Sequence, residues 1–357
     1  MTPPATRDNF VPALLAWFDA HQRPMPWRAR AGQTPNPYHV LLSEAMLQQT
    51  QVATVVPYFL RFIDAFPTID ALARANEQQV LRLWQGLGYY SRAHNLLKAA
   101  RMVVERFDGM VPRTVDELLT LPGVGRYTAG AIASIAYDTH APILDGNVVR
   151  VLCRIDALRR DPRDKAVQFQ LWARAESLLP DCRTGDFNQS MMELGATVCT
   201  PKNPSCLICP VRQMCRAQAS GIQDRIPPAK QTKPLKAERR WVFCVQRCDG
   251  KYLIEQRPPI GRWAGMWQFI SVEAATDTIT PAVAQTACGY ALKGLTPLAT
   301  VHHTLTHRQY QFDAYRGTAK ARANAISPRR WATLAEMEEL PFSKPQLAIR
   351  KRLGESE

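Results

Sequence analysis

Two carboxylates carry the first chemistry that this sequence could perform. Glu44 stands in LLSEAMLQQT, with Leu41, Leu42, Ala45, Met46 and Leu47 around it. An acid set in such an apolar wall loses hydration when it ionises, so its pKa is expected to rise. Asp145 stands in PILDGNVVRVLCR, ahead of an apolar run of helical or strand period. There it reads as an N-cap, in a setting expected to keep it ionised. A carboxylate pair with separated pKa values is what cleavage of a glycosidic bond needs: an acid for the leaving group and an anion facing an oxocarbenium-like sugar. The plainer reading is a structural Glu and a capping Asp.

Between them lies LPGVGRYTAG, residues 121 to 130, where Gly123 and Gly125 interrupt helical sequence. Glycines there allow positive φ and let backbone approach another molecule closely. A helix starting near Arg126 would direct its free N–H groups and positive dipole end at the turn, which suits a phosphate. A tight helix connection that serves only packing is the alternative. The third group is CTPKNPSCLICPVRQMC, which separates Cys199, Cys206, Cys209 and Cys215 by six, two and five residues. Four thiolates this close suit one metal centre. Structural zinc usually takes two short Cys-x-x-Cys knuckles and only one short pair exists, so spacing favours a [4Fe-4S] cluster over zinc. Cys153, Cys182, Cys244, Cys248 and Cys288 read instead as small buried hydrophobes.

The elements that must hold these groups follow from periodicity. From residue 8 to about 218 apolar residues recur at helical spacing, as in VPALLAWFDAH and EQQVLRLWQGLG. RIPPAKQTKPLKAERR then brings three prolines and six basic residues, which marks an extended linker. After it RWVFCVQR, KYLIEQR and RQYQFDAYRG read as strands, with a hairpin turn at CDG. ATLAEMEEL and PQLAIRKRL return to helix, so the last third is expected to be a small α+β domain.

Composition narrows the partner. The 45 Lys and Arg against 31 Asp and Glu give a net charge of +14, spread along the chain, which favours a polyanion, nucleic acid first. There is no apolar targeting region at the start and no apolar run long enough to span a bilayer, so no membrane partner and a cytoplasmic location are expected. Nine cysteines, an odd number, argue for reduced thiols or a metal rather than a disulfide framework.

MPWR, LLSEAMLQQTQV, GLGYYSRAHNL, LPGVGRYTAGAI, LDGNVVR, MMELGA and the four cysteines occur in that order. Together they resemble the adenine DNA glycosylases of the helix-hairpin-helix superfamily, which also includes endonuclease III. The resemblance is dense over residues 8 to 218 and looser beyond. It implies a mainly α glycosylase region (8–218) with an iron–sulfur loop (199–215), a linker (219–238) and an α+β MutT-like, Nudix-fold domain (239–353) that reads 8-oxoguanine. The implied substrate is double-stranded DNA with adenine opposite 8-oxoguanine or guanine, the cofactor a [4Fe-4S] cluster on Cys199, Cys206, Cys209 and Cys215. A monomer is expected, since two domains around a duplex need no second subunit.

Residue by residue, the resemblance makes Glu44 the general acid at adenine N7 and Asp145 the carboxylate at C1′, with Tyr127 and Asn147 hydrogen-bonding around Asp145 and the sugar. Endonuclease III carries lysine where Tyr127 stands, and a phenol cannot form the Schiff base that leads to strand cleavage. A flipped adenine would be held by Arg23, Trp27, Arg28, Gln49 and Glu193. Gln48, Leu87, Tyr89, Gly123 and Gly125 would contact DNA, with Leu87 and Tyr89 as a wedge beside the opposite base. Leu305, Thr306 and His307 stand where the family usually has Phe-Ser-His, a departure that removes a ring. No REx2EExG signature lies between residues 238 and 357, which disfavours phosphohydrolysis. A pyrimidine-lesion or thymine-mismatch glycosylase and a non-catalytic cluster-bearing DNA-binding protein are the alternatives.

Overall fold

The computed structural model describes all residues except 1–3, 30–32, 230–233, 275, 277, 320–324 and 356–357. Part of the expected linker, 230–233, therefore lies outside the described residues. Two compact units emerge, residues 1–74 with 95–231, and residues 75–94 with 232–357. The segment 75–94, helical by its periodicity, thus groups with the C-terminal residues.

In chain order the helices up to the linker are α1 (Arg7–His21), α2 (Pro37–Leu47), α3 (Val52–Ala65), α4 (Ile69–Arg74), α5 (Glu77–Trp84), α6 (Ser91–Arg106), α7 (Val115–Leu119), α8 (Arg126–Tyr137), α9 (Gly146–Ile155), α10 (Lys165–Ser177), α11 (Thr184–Thr197) and α12 (Arg216–Ala219). Their ends follow local chemistry. Asn36 caps α2 by accepting from the N–H groups of Tyr38 and His39, with Pro37 in the first turn, where its missing N–H costs nothing. Asp145 caps α9 by accepting from Val148. In the first unit α8, α9 and α11 pack around Leu144, Val148, Leu152, Phe187, Met191 and Leu194, all buried. Helices α9 and α11 approach closely because Gly195 has no side chain: a Cβ there would lie 2.6 Å from the Cβ of Asn147.

The second unit contains a six-stranded sheet among the described residues, in the order β4-β5-β1-β3-β2-β6. The strands are β1 (Lys236–Gln246), β2 (Tyr252–Gln256), β3 (Trp267–Glu273), β4 (Leu292–Leu305), β5 (Arg308–Ala319) and β6 (Arg329–Ala332), with α13 (Pro281–Cys288) and α14 (Lys344–Gly354). β1 pairs with β5 in parallel; β1 with β3, β2 with β3, β2 with β6 and β4 with β5 are antiparallel. Alternate β1 residues enter two cores, Trp241, Phe243 and Val245 on one face and Val242 and Cys244 on the other. A strand buried on both faces must be apolar at nearly every position, which explains the run WVFCV. ATLAEMEEL departs from the expected helix: only Glu336–Glu339 turns, as a 3-10 segment. Cys182 and Cys248 also depart from expectation, being exposed.

Candidate active site

Helix α2 carries Glu44 on its buried side, between Ser43 and Met46, with 5% of the residue exposed. Its carboxyl is pushed up to about 7, chiefly by desolvation; a hydrogen bond from Tyr127 opposes the rise and the charge of Asp145 adds a smaller push. Glu44 Oε2 is buried and has no hydrogen-bond partner among the described residues. A buried polar atom left unpaired costs free energy in the resting protein, which makes it the feature here most in need of a ligand.

Tyr127 lies in the first turn of α8, two residues past Gly125. Gly123 adopts φ +81°, with Asn95 against the position a Cβ would take, so the turn requires glycine there. Gly125 differs from expectation: it is the N-cap of α8 with an ordinary φ of −97°, and open space surrounds it. No side chain caps α8, so its first N–H groups stay available at the turn. The Tyr127 hydroxyl donates to Met192 Sδ at 3.3 Å and feels the charges of both Glu44 and Asp145, the neighbourhood the resemblance implied. Burial raises this phenol well above the ordinary tyrosine range, so it remains a neutral donor.

Asp145 accepts from the Val148 N–H at 2.7 Å and from Asn147 Nδ2 at 3.0 Å, the second contact as expected from the resemblance. Desolvation dominates and raises the Asp145 pKa, although the bonds from Val148 and Asn147 and the charge of Arg150 oppose it. Arg150 was not singled out from the sequence. Its guanidinium donates to Asn147 Oδ1 at 2.8 Å, to the Gly195 carbonyl at 2.7 Å and to the Cys199 carbonyl at 2.7 Å. An arginine one helical turn past a candidate site residue was the available signal.

Glu193 on α11 is 2% exposed and binds both Arg23 and Arg28; Arg28 Nη2 donates to Oε2 at 2.9 Å and Nε to Gln189 at 3.0 Å. The two guanidiniums keep the Glu193 pKa low although burial alone would raise it. Trp27 is 8% exposed, its ring edge-to-face with Phe59 at 5.2 Å. Gln49, just past α2, is exposed and adopts φ +57°, an uncommon conformation for a side chain of this kind, whereas Gln48 caps the helix. Glu44, Tyr127, Asp145, Asn147, Arg23, Arg28 and Glu193 all belong to the first unit.

In the second unit Leu87 is 7% exposed and Tyr89 44%. Arg92 lies beneath them and donates to the carbonyls of Leu87, Gly88 and Tyr89. The Tyr89 hydroxyl and Thr306 Oγ1 are 2.7 Å apart. Thr306 and His307 form the tip of the β4–β5 hairpin, with Leu305 opposite Arg308. Leu305 packs against the core, so it supports the hairpin from within.

Cys199, Cys206, Cys209 and Cys215 line one cavity together with Arg154, whose Nη1 donates to Cys199 Sγ at 3.3 Å. A tetrahedral zinc ion, at about 2.3 Å from each sulfur, would draw the four to within roughly 4 Å of one another. Among the described residues no three such side chains close on a point in that way. Four sulfurs around a cavity suit a larger, multinuclear group, so the residues fit an iron–sulfur cluster better than a single ion.

Comparison with known proteins agrees with this geometry. Residues 42–177 match the HhH-GPD superfamily of base excision DNA repair proteins, 241–352 a NUDIX domain and 199–215 the iron–sulfur binding domain of endonuclease III. An adenine DNA glycosylase of Rattus norvegicus is 44% identical over 72% of this chain and 59% of its own length. One from Buchnera aphidicola subsp. Schizaphis graminum (strain Sg) is 37% identical over 76% of this chain and 77% of its own. The chain belongs to the adenine DNA glycosylase family. It carries the DNA glycosylase and Nudix folds and a [4Fe-4S] cofactor of that family. A solved thermostable thymine-DNA glycosylase is 29% identical, with a TM-score of 0.53, over 60% of this chain and 97% of its own. The chain spans 59% of the rat adenine DNA glycosylase and 66% of the human one. Within the described residues of this family member no helix is long and apolar enough to cross a membrane.

Proposed function

We propose that the protein is a monofunctional DNA glycosylase that hydrolyses the N-glycosidic bond of adenine mispaired with 8-oxoguanine or guanine. The observation that carries this reading is the buried Glu44, with its unpartnered Oε2, beside Asp145. A carboxyl that titrates near neutrality can hold a proton for a leaving purine, here at N7 of adenine. Asp145, fixed by Asn147 and Val148, would face C1′ and stabilise the positive charge that develops on the sugar as the bond breaks. Tyr127 offers no amine, so the mechanism ends at an abasic site with the strand intact.

In the same reading Arg23, Trp27, Arg28, Gln49 and Glu193 form the adenine pocket. The turn at Gly123 and Gly125, with Gln48, Leu87 and Tyr89, holds the duplex. Leu305, Thr306 and His307 read the opposite base, with Tyr89 fastened to Thr306 at that hairpin. Cys199, Cys206, Cys209 and Cys215 hold the [4Fe-4S] cluster, which cross-links the 199–215 loop. Residues 8–218, 219–238 and 239–353 act as glycosylase region, linker and recognition domain of a cytoplasmic, monomeric enzyme.

Single-turnover excision on duplexes that differ only in the central pair tests the proposal. Adenine should leave from pairs with 8-oxoguanine and guanine and stay opposite thymine, and strands should break only after alkali. Tight binding without release from any pair would refute it in favour of a non-catalytic or pyrimidine-directed protein.

A further inference from the structure

The turn that presents Leu87 and Tyr89 combines a left-handed backbone with a buried cation. Gly86, Gly88 and Tyr89 adopt φ of +97°, +80° and +48°, and for a tyrosine that conformation costs free energy. Beneath them Arg92 is 7% exposed. Burial draws its pKa down to about 10, so it stays charged at neutral pH. Its guanidinium donates to the Gly88 carbonyl at 3.1 Å and to the carbonyls of Leu87 and Tyr89 at 3.4 Å. The ring centroids of Trp84 and Tyr89 each lie 5.4 Å from the guanidinium carbon, and Trp84 Nε1 donates to the same Gly88 carbonyl at 3.1 Å.

We propose that Arg92 is a positioning residue for the DNA wedge: its buried fork gathers the carbonyls of Leu87, Gly88 and Tyr89 and holds the 86–89 turn in its strained form before DNA arrives. A guanidinium serves several acceptors at once in a fixed geometry, which neither an alkyl chain nor a single ammonium can do. With those carbonyls drawn toward the charge, Tyr89 keeps its left-handed backbone and its ring stays over the guanidinium, 44% exposed, with its hydroxyl 2.7 Å from Thr306 Oγ1. Ordering the turn in advance removes a cost that binding would otherwise have to meet when the base pair opens. Arg92 touches neither adenine nor sugar, so its effect falls on recognition of the mispair and not on cleavage of the bond.

This role rests on the adenine glycosylase reading, with Leu87 and Tyr89 as the wedge, and its test separates the two. In the full-length holoprotein, Arg92→Met removes the fork and keeps a long side chain in its place. With the turn then correct in about one molecule in ten, the apparent Kd for a duplex with adenine opposite 8-oxoguanine should weaken about tenfold. Excision at saturating enzyme, and affinity for a fully matched duplex that needs no wedge, should both stay within about twofold of the parent. The alkaline limb of excision should stay near pH 7, since Glu44 is untouched. Gly88→Ala loosens the turn by a second route: among the described residues nothing lies within 4 Å of the added Cβ, but φ of +80° opposes any residue other than glycine. It should show the same division between weakened mispair affinity and retained saturated rate, and it carries the test if Arg92→Met does not fold.

Hydrogen exchange followed by mass spectrometry reads the turn without any catalysis. The Leu87 N–H bonds the Trp84 carbonyl and the Arg92 N–H bonds the Tyr89 carbonyl. A peptide spanning residues 86–92 should exchange roughly tenfold faster in Arg92→Met than in the parent. Unchanged exchange there would overturn the inference whether or not the parent excises adenine. So would an unchanged Kd for the mispair, an equal loss on matched and mispaired duplexes, or a lower saturated rate at parental affinity. A parent that releases no adenine from any pair would sink the functional reading instead, and exchange over 86–92 would then decide by itself whether Arg92 holds the turn.

Discussion

Replacing Glu44 by Gln keeps the shape of the side chain and removes its titration, so stability becomes a measure of the acid's environment. The carboxyl titrates at about 7 in the folded protein against an ordinary 4.5. A shift of ~2.5 units corresponds to roughly 3.4 kcal/mol against the ionised form. Because the folded pKa is raised, the contribution is favourable below pH 4.5 and is lost as pH climbs through 7. At pH 8 the parent is therefore penalised by about 3.3 kcal/mol and at pH 5 by about 0.8. Gln carries no such dependence, whatever fixed cost its buried amide adds. The variant should thus gain ~2.5 kcal/mol on the parent between pH 5 and pH 8, which for a chain of 357 residues is roughly 3 °C in midpoint. Thermal unfolding of both holoproteins, followed by helical circular dichroism at the two pH values, gives the number. Parallel midpoints at pH 5 and pH 8 would refute the claim that burial holds a proton on Glu44. The same variant should lose excision, so the group that costs stability would be the one that performs the chemistry.

Four further substitutions test other contacts. Gly195→Ala puts a methyl 2.6 Å from the Asn147 Cβ and should push Asn147 off Asp145; excision should drop about 100-fold with duplex binding kept, and an unchanged rate would show that α9 and α11 part without cost. Tyr127→Lys places an amine beside Glu44 and Asp145, so a borohydride-trappable adduct and strand cleavage are expected; their absence would mean that the side chain does not face C1′. Arg28→Met leaves Glu193 buried with one partner fewer and should cost about 3 kcal/mol, whereas Arg23→Met, at the more exposed arm of the pair, should cost less than about 1 kcal/mol. Urea midpoints decide, and equal costs would show that burial does not rank these two ion pairs.

What the chain determines by itself is what depends on neighbours in sequence. The Asp145 cap, the glycine turn, the helical spacing of residues 8 to 218, the single short cysteine pair and the family motifs were all legible, because caps, turns and periods act over a few residues. The apolar surroundings of Glu44 were legible for the same reason: Leu41, Leu42 and Met46 lie within one turn of it. What only the tertiary structure decided depends on groups far apart in the chain. Tyr127 and Met192 meet across α8 and α11; Gly195 lets Asn147 approach; Arg150 reaches Gly195 and Cys199; and residues 75–94 group with the C-terminal residues. The upward push on the Asp145 pKa was not legible from sequence because a cap acts through local dipoles, whereas burial acts through every element packed around the site, and that sum exists only once the chain has folded.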